Sequence, residues 1–223
     1  MKYYPIFVDI RGSKVVVVGG GEVAERKVKT LLECGADIYL IAKVIGGELK
    51  VLVENGKVNY LGPDFHDAYL DGSSLVIAAT SDSELNRRVS NAAKARNIFV
   101  NAVDQPEDCT FIVPSIVARK DLVLAISTSG KSPALAKKIR RQLEDTFDHH
   151  YGLLVELLGR IRGAVLSLGL PQKQNSTIFS SLVNSDILGA ISEGNREKLL
   201  DILKEIVPAD ALKKLDLGDL LEG

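Results

Sequence analysis

Six consecutive residues carry the strongest chemical signal in the chain: Gly19, Gly20, Gly21, Glu22, Val23 and Ala24. Four valines, Val15 to Val18, run straight into them, and a helical pattern follows. The stretch reads as a buried strand, a tight turn and a helix start. Gly19, Gly21 and Ala24 fit the G-x-G-x-x-G/A spacing of dinucleotide sites. In that pattern the first glycine allows the turn and the second lets the backbone approach a pyrophosphate. The small third residue lets helix and strand pack closely. The pyrophosphate then rests on the free N–H groups and positive dipole end of the new helix.

A standard NAD site has an acid about 20 residues further on, at the end of the second strand. Here that place reads Ile41-Ala42-Lys43-Val44, and the acid is missing. Three readings stay open: a ribose held by backbone and water, a 2′-phosphate welcomed by Lys43, or a solvated lysine. Asp104 stands just past a predicted strand end, where open parallel sheets bind ligands. A carboxylate there can accept a proton from a substrate. The pattern alone favours an ordinary Asp-Gln-Pro turn. The stretch Ser127-Thr128-Ser129-Gly130-Lys131 precedes a helix capped by Ser132 and Pro133. It is not a phosphate loop, because the required glycine five residues before Gly130 is Ala125. It reads equally as an anion site and as a plain helix start. His149 and His150 are adjacent, share no helical face and find no partner at metal-ligand spacing, so no metal site is expected.

These residues need a scaffold, and the chain supplies one. Apolar strands are expected at 14–19, 37–42, 58–61, 75–79 and 98–101, after a short leading strand at 6–9. Helices are expected at 22–34, 48–54 and 82–96, the last opened by a capping box of Ser81 and Glu84. Val23, Val28, Leu31 and Leu32 form the apolar stripe of the first helix. Strands alternating with helices imply a parallel sheet with right-handed crossovers. After residue 101 the rhythm changes. Residues 111–118 and 122–127 read as a hairpin, and 133–147 as a helix. The segments 153–168, 178–191, 195–207 and 209–221 read as amphipathic helices. The fold class is α/β, a Rossmann-like parallel sheet with a small α+β segment and an all-helical end.

The 223 residues carry 28 basic and 29 acidic side chains, a net charge of −1. That balance gives no pull toward nucleic acid or an anionic membrane. No apolar run is long enough to span a bilayer. Cys34 and Cys109 are far apart and fit a reduced, cytoplasmic protein.

Four stretches together resemble one family. They are 19–27 (GGGEVAERK), 78–82 (AATSD) with Asn86, 100–104 (VNAVD) with Cys109, Phe111 and 114–116 (PSI), and 126–136 (ISTSGKSPALA). In this order, over residues 3 to about 147, they resemble the siroheme synthase N-terminal region, the precorrin-2 dehydrogenase family. The chain resembles its stand-alone form, without the methyltransferase domain. The resemblance implies NAD-dependent oxidation of precorrin-2 to sirohydrochlorin and leaves ferrous iron insertion open as a second activity. It implies a Rossmann domain at 1–113, a dimerisation segment at 114–148 whose strands pair between subunits, and a helical domain at 149–223. A ligand cleft between them and a homodimer are implied too. Asp104 matches the catalytic aspartate. Gly19 to Ala24, Lys43, Val44 and Thr80 match the cofactor side. Asn101 and Ser127, Thr128, Ser129, Gly130 and Lys131 match the substrate side. Lys43 stands where relatives often carry proline. Ser127-Thr128-Ser129-Gly130 departs from the commoner Ser-Thr-Gly-Gly. A rival expectation is a non-catalytic NAD-binding redox sensor or tetrapyrrole carrier.

Overall fold

The computed structural model describes residues 2–216 and 218, in two compact units, Met1–Val113 and Pro114–Gly223. In the first unit five strands form one parallel sheet: β1 (Lys14–Val18), β2 (Asp37–Ile41), β3 (Asn59–Gly62), β4 (Leu75–Ala78) and β5 (Phe99–Ala102). Their order is β3-β2-β1-β4-β5. β1 is central, pairing Val15 with Ile38 on one side and with Leu75 on the other. The reversal of strand order between β1 and β4 creates the crevice where doubly wound sheets bind ligands.

Val15 to Val18 are all buried, because a parallel sheet is covered on both faces. One face packs Val15 and Val17 with Ala24 and Val28 of α1 (Glu22–Glu33) and Leu49 of α2 (Gly47–Glu54). The other packs Val16 and Val18 with Val89 and Ala93 of α3 (Ser83–Ala95).

Three local expectations change. Residues 6–9 form no strand, and Ile6, Phe7 and Val8 are exposed. Both edges of β1 are taken by β2 and β4, and residues 6–9 pair with no strand of the sheet. The α1 stripe runs through Ala24 and Val28 rather than Val23, which lies exposed in the first turn. Helix α3 is capped by Asp82, not Ser81. The Asp82 carboxylate accepts from the N–H groups of Glu84 and Leu85, both at 3.0 Å. An anion at that place also meets the positive end of the helix dipole.

The second unit opens with an antiparallel hairpin, β6 (Ser115–Arg119) and β7 (Leu122–Ile126), then α4 (Pro133–Thr146). The expected Ser132 cap is present, accepting from Leu135 N–H at 3.2 Å. Ser132→Ala is expected to cost about 1 kcal/mol, read as a lower midpoint in urea with an unchanged slope. Five helices follow: α5 (His149–Leu166), α6 (Gln172–Asn184), α7 (Ile187–Ser192), α8 (Arg196–Ile206) and α9 (Ala209–Leu212). Their core holds Leu157, Ile161, Leu182, Leu199 and Leu203. The run expected at 178–191 is broken at Ser185 and Asp186, where small polar residues favour a bend over another helical turn. The segment expected at 209–221 extends past the described residues.

Candidate cofactor site and catalytic turn

Each glycine of the first turn has its own physical cause. Gly19 takes φ 122°, a region L side chains avoid, and a Cβ there would collide with the Ala79 carbonyl oxygen. At Gly20 a Cβ would collide with the Val44 carbonyl oxygen, while the Gly20 carbonyl accepts from Gly46 N–H at 3.1 Å. Gly21 differs. Its φ is −89°, and a Cβ would meet nothing within 4 Å. It is the N-cap of α1 and offers no side-chain cap. The N–H groups of Glu22, Val23 and Ala24 have no acceptor among the described residues. Open space in front of free donors at a helix N-terminus suits a phosphate-bearing ligand.

Gly19, Gly20 and Gly21 line a cleft of about 540 Å³ with Lys43 and Thr80. Lys43 is exposed at its rim, beyond β2. Val44 contributes its backbone carbonyl against Gly20, and its side chain is exposed. The cleft also takes in Asp64, Phe65 and Arg88, which pattern reading passed over. The signal existed, since Asp64 follows the end of β3, and strand carboxyl ends border ligand sites in such sheets. The Arg88 guanidinium lies 5.2 Å from the Phe65 ring centroid and 2.9 Å from an Asp67 carboxylate oxygen. The lining thus carries both signs of charge.

Asp104 stands in the turn after β5, exposed and at φ 60°. Its carboxylate has no hydrogen bond or ion pair among the described residues. The turn beneath it is pinned from several directions. Val103 N–H donates to Ala78 O at 2.9 Å, and the buried Gln105 amide donates to Ser83 O at 3.1 Å. Cys109 Sγ accepts from Ala102 N–H at 3.2 Å and lies 3.2 Å and 3.3 Å from the Ala102 and Gln105 carbonyl oxygens. Asn101 spends its amide donors on Phe111 O at 3.1 Å and Cys109 Sγ at 3.5 Å. The result is a free carboxylate on a fixed base. Burial pushes the Cys109 thiol above its ordinary range. Cys34 is exposed. Alkylation by iodoacetamide in the native state is therefore expected at Cys34 first, with Cys109 protected until unfolding, read by peptide mass mapping.

In the second unit, the hydroxyls of 127–131 divide their work. Ser127 Oγ accepts from Ser129 N–H at 3.0 Å, and Thr128 Oγ1 from Ser132 N–H at 3.1 Å. Ser129 takes φ 53° and Gly130 φ 81°. The Ser129 hydroxyl and the Lys131 ammonium have no partner among the described residues and are exposed. The two histidines do come together. Their ring centroids lie 3.9 Å apart, and donor atoms of Asp148, His149 and His150 converge within 4.8 Å. The expectation that adjacent histidines cannot share a face thus fails at a helix end, where Asp148 caps α5 and bonds the His150 ring at 3.0 Å.

Residues 6–115 match a family model described as putative NAD(P)-binding, and residues 119–146 match one described as sirohaem biosynthesis protein central. A siroheme synthase of Methylobacillus flagellatus is 39% identical over 91% of this chain and 44% of its own length. One of Zymomonas mobilis is 38% identical over 96% and 45%. Nearly the whole chain is thus similar to siroheme synthases. It spans less than half the length of these curated relatives. Among solved structures, the precorrin-2 dehydrogenase SirC matches with a TM-score of 0.75 and 25% identity, over 92% of this chain and 98% of that one. The expected α/β fold with its helical end is borne out, and so is the expected NAD cofactor. Among the described residues, no helix is long and apolar enough to cross a membrane.

Proposed function

We propose that this chain oxidises precorrin-2 to sirohydrochlorin with NAD, as a homodimer in the cytoplasm. The likeness to SirC through both units carries the reading. The cleft at Gly19–Gly21 and the free carboxylate of Asp104 supply the parts it needs.

The cradle fits the cofactor. Free N–H groups of Glu22, Val23 and Ala24 would hold the pyrophosphate, with Gly21 leaving room for it. NAD supplies the acceptor for the two electrons and hydrogen that leave as hydride. The substrate must also lose one proton to restore conjugation, and Asp104 takes it or orients the ring that loses it. An unpaired carboxylate on a rigid turn has its lone pairs free for that task. Precorrin-2 is polycarboxylated, and Lys131 with the Ser127–Ser129 hydroxyls offers charge-assisted bonds to such groups. The exposed face of the hairpin, Ile116 and Val123, supports residues 114–148 as a dimerisation segment.

The test is anaerobic. Precorrin-2 and NAD are mixed with the protein, and NADH absorbance is followed with the tetrapyrrole spectrum. Matched growth of NADH and sirohydrochlorin is expected. NADH binding without turnover would instead favour the non-catalytic sensor or carrier. Ferrous ion added to sirohydrochlorin without NAD tests iron insertion on its own.

A further inference from the structure

Asn86 is a buried polar side chain, 2% exposed, in the first turns of α3. Its whole amide is turned on one residue. Asn86 Oδ1 accepts from Thr80 N–H at 3.2 Å and from the Thr80 hydroxyl at 2.7 Å. Asn86 Nδ2 donates to the Thr80 carbonyl at 3.0 Å. The Thr80 hydroxyl oxygen also accepts from Asp82 N–H at 3.1 Å. Every polar group of Thr80 is therefore committed inside the turn between β4 and α3. Thr80 lines the cleft with Gly19 to Gly21, yet it has no free donor to give a ligand. Its contribution is its place.

That place is fixed from two sides. The Ala79 carbonyl comes so close to Gly19 that no Cβ fits between them. Behind the same peptide, Asn86 holds Thr80 by three bonds. We propose that Asn86 is a positioning residue for NAD binding: by clamping the Ala79–Thr80 peptide against Gly19, it sets the width of the cleft opposite the phosphate-binding turn. The inference rests on the proposed use of NAD and deepens it. An amide is suited to this task, since it presents an acceptor and a donor together and so satisfies the N–H and the C=O of one residue, Thr80, at once. Leucine has the same bulk and neither function, so it would leave the part-buried N–H and C=O of Thr80 without their Asn86 partner.

The test is NADH binding by fluorescence titration, with steady-state kinetics beside it. Asn86→Leu is expected to weaken NADH tenfold or more and to raise KM for NAD, with KM for precorrin-2 within twofold. Asn86→Asp keeps both acceptor contacts but sets a carboxylate oxygen against the Thr80 carbonyl where the donor stood, so a loss of tenfold or more is expected here too. It also serves if Asn86→Leu does not fold. Val89→Ala, on the buried face of the same helix, loosens α3 without touching Thr80 and should leave NADH affinity within twofold. If both Asn86 variants bind NADH within twofold of the parent, the inference is overturned and the proposed function stands. If Val89→Ala weakens NADH as much as Asn86→Leu, general loosening explains the effect and the inference is overturned. If the parent itself binds no NADH, the proposed function fails and the inference goes with it.

Discussion

Asp104→Asn is expected to lower kcat for precorrin-2 oxidation at least a hundredfold, the usual weight of a positioned base, while NADH affinity stays within twofold. The choice of asparagine matters. Asp104 occupies φ 60°, and asparagine is, with aspartate, among the few side chains that tolerate the left-handed region. The substitution therefore keeps the backbone and the size and removes the charge and basicity. Alanine would add backbone strain and blur the result. The turn is held by Val103, Gln105 and Cys109 rather than by the Asp104 carboxylate, so the variant should melt with the parent. The measurement is anaerobic NADH formation under saturating NAD. A rate within threefold of the parent would remove Asp104 from the chemistry and leave it a turn residue.

The same residue shows what could and could not be read from the chain. Asp-Gln-Pro is an ordinary turn by composition, and composition is all that a local pattern sees. What separates a structural aspartate from an available one is where its oxygens go. A capping aspartate such as Asp82 spends them on the N–H groups of its own helix. Asp104 spends them on nothing among the described residues. That difference is three-dimensional, set by Cys109 and Gln105 taking over the support of the loop. The resemblance to a family placed Asp104 in a role; residue pattern favoured the plain turn.

The first unit was legible where one interaction dominates. Four valines cannot be solvated, so β1 is central. Glycines at 19 and 21 with alanine at 24 mark the turn. Pattern gave Gly20 no reason, because its reason is the Val44 carbonyl, a contact made across strands by a residue 24 positions away in sequence. Arg88 and Phe65 were missed for the same cause: each looks like an ordinary helix-surface or loop residue until the sheet brings both to one cleft. The leading strand at 6–9 failed the other way. Its residues suit a strand, but a strand needs a pairing partner, and no strand of either sheet pairs with it.

A glycine-by-glycine comparison gives the second large effect. Gly21→Ala is expected to leave the fold intact and weaken NADH tenfold or more. Its backbone is already in an ordinary region, and a methyl group there meets no protein atom within 4 Å. The methyl instead enters the space in front of the free N–H groups of α1, where the phosphates would rest. An added methyl that only restricts the unfolded chain can even stabilise by a few tenths of a kcal/mol. Gly20→Ala is the mirror case. Its Cβ would drive into the Val44 carbonyl, so strand ends must part, at a cost of about 1–3 kcal/mol for overpacking. Affinity then falls through the fold. The two variants are separated by a pair of measurements, the melting temperature and the NADH titration. Gly21→Ala should move only the second, and Gly20→Ala both. Equal melting losses in the two would mean that Gly21 is a structural glycine, and unchanged NADH affinity in Gly21→Ala would mean that the cofactor phosphates lie elsewhere.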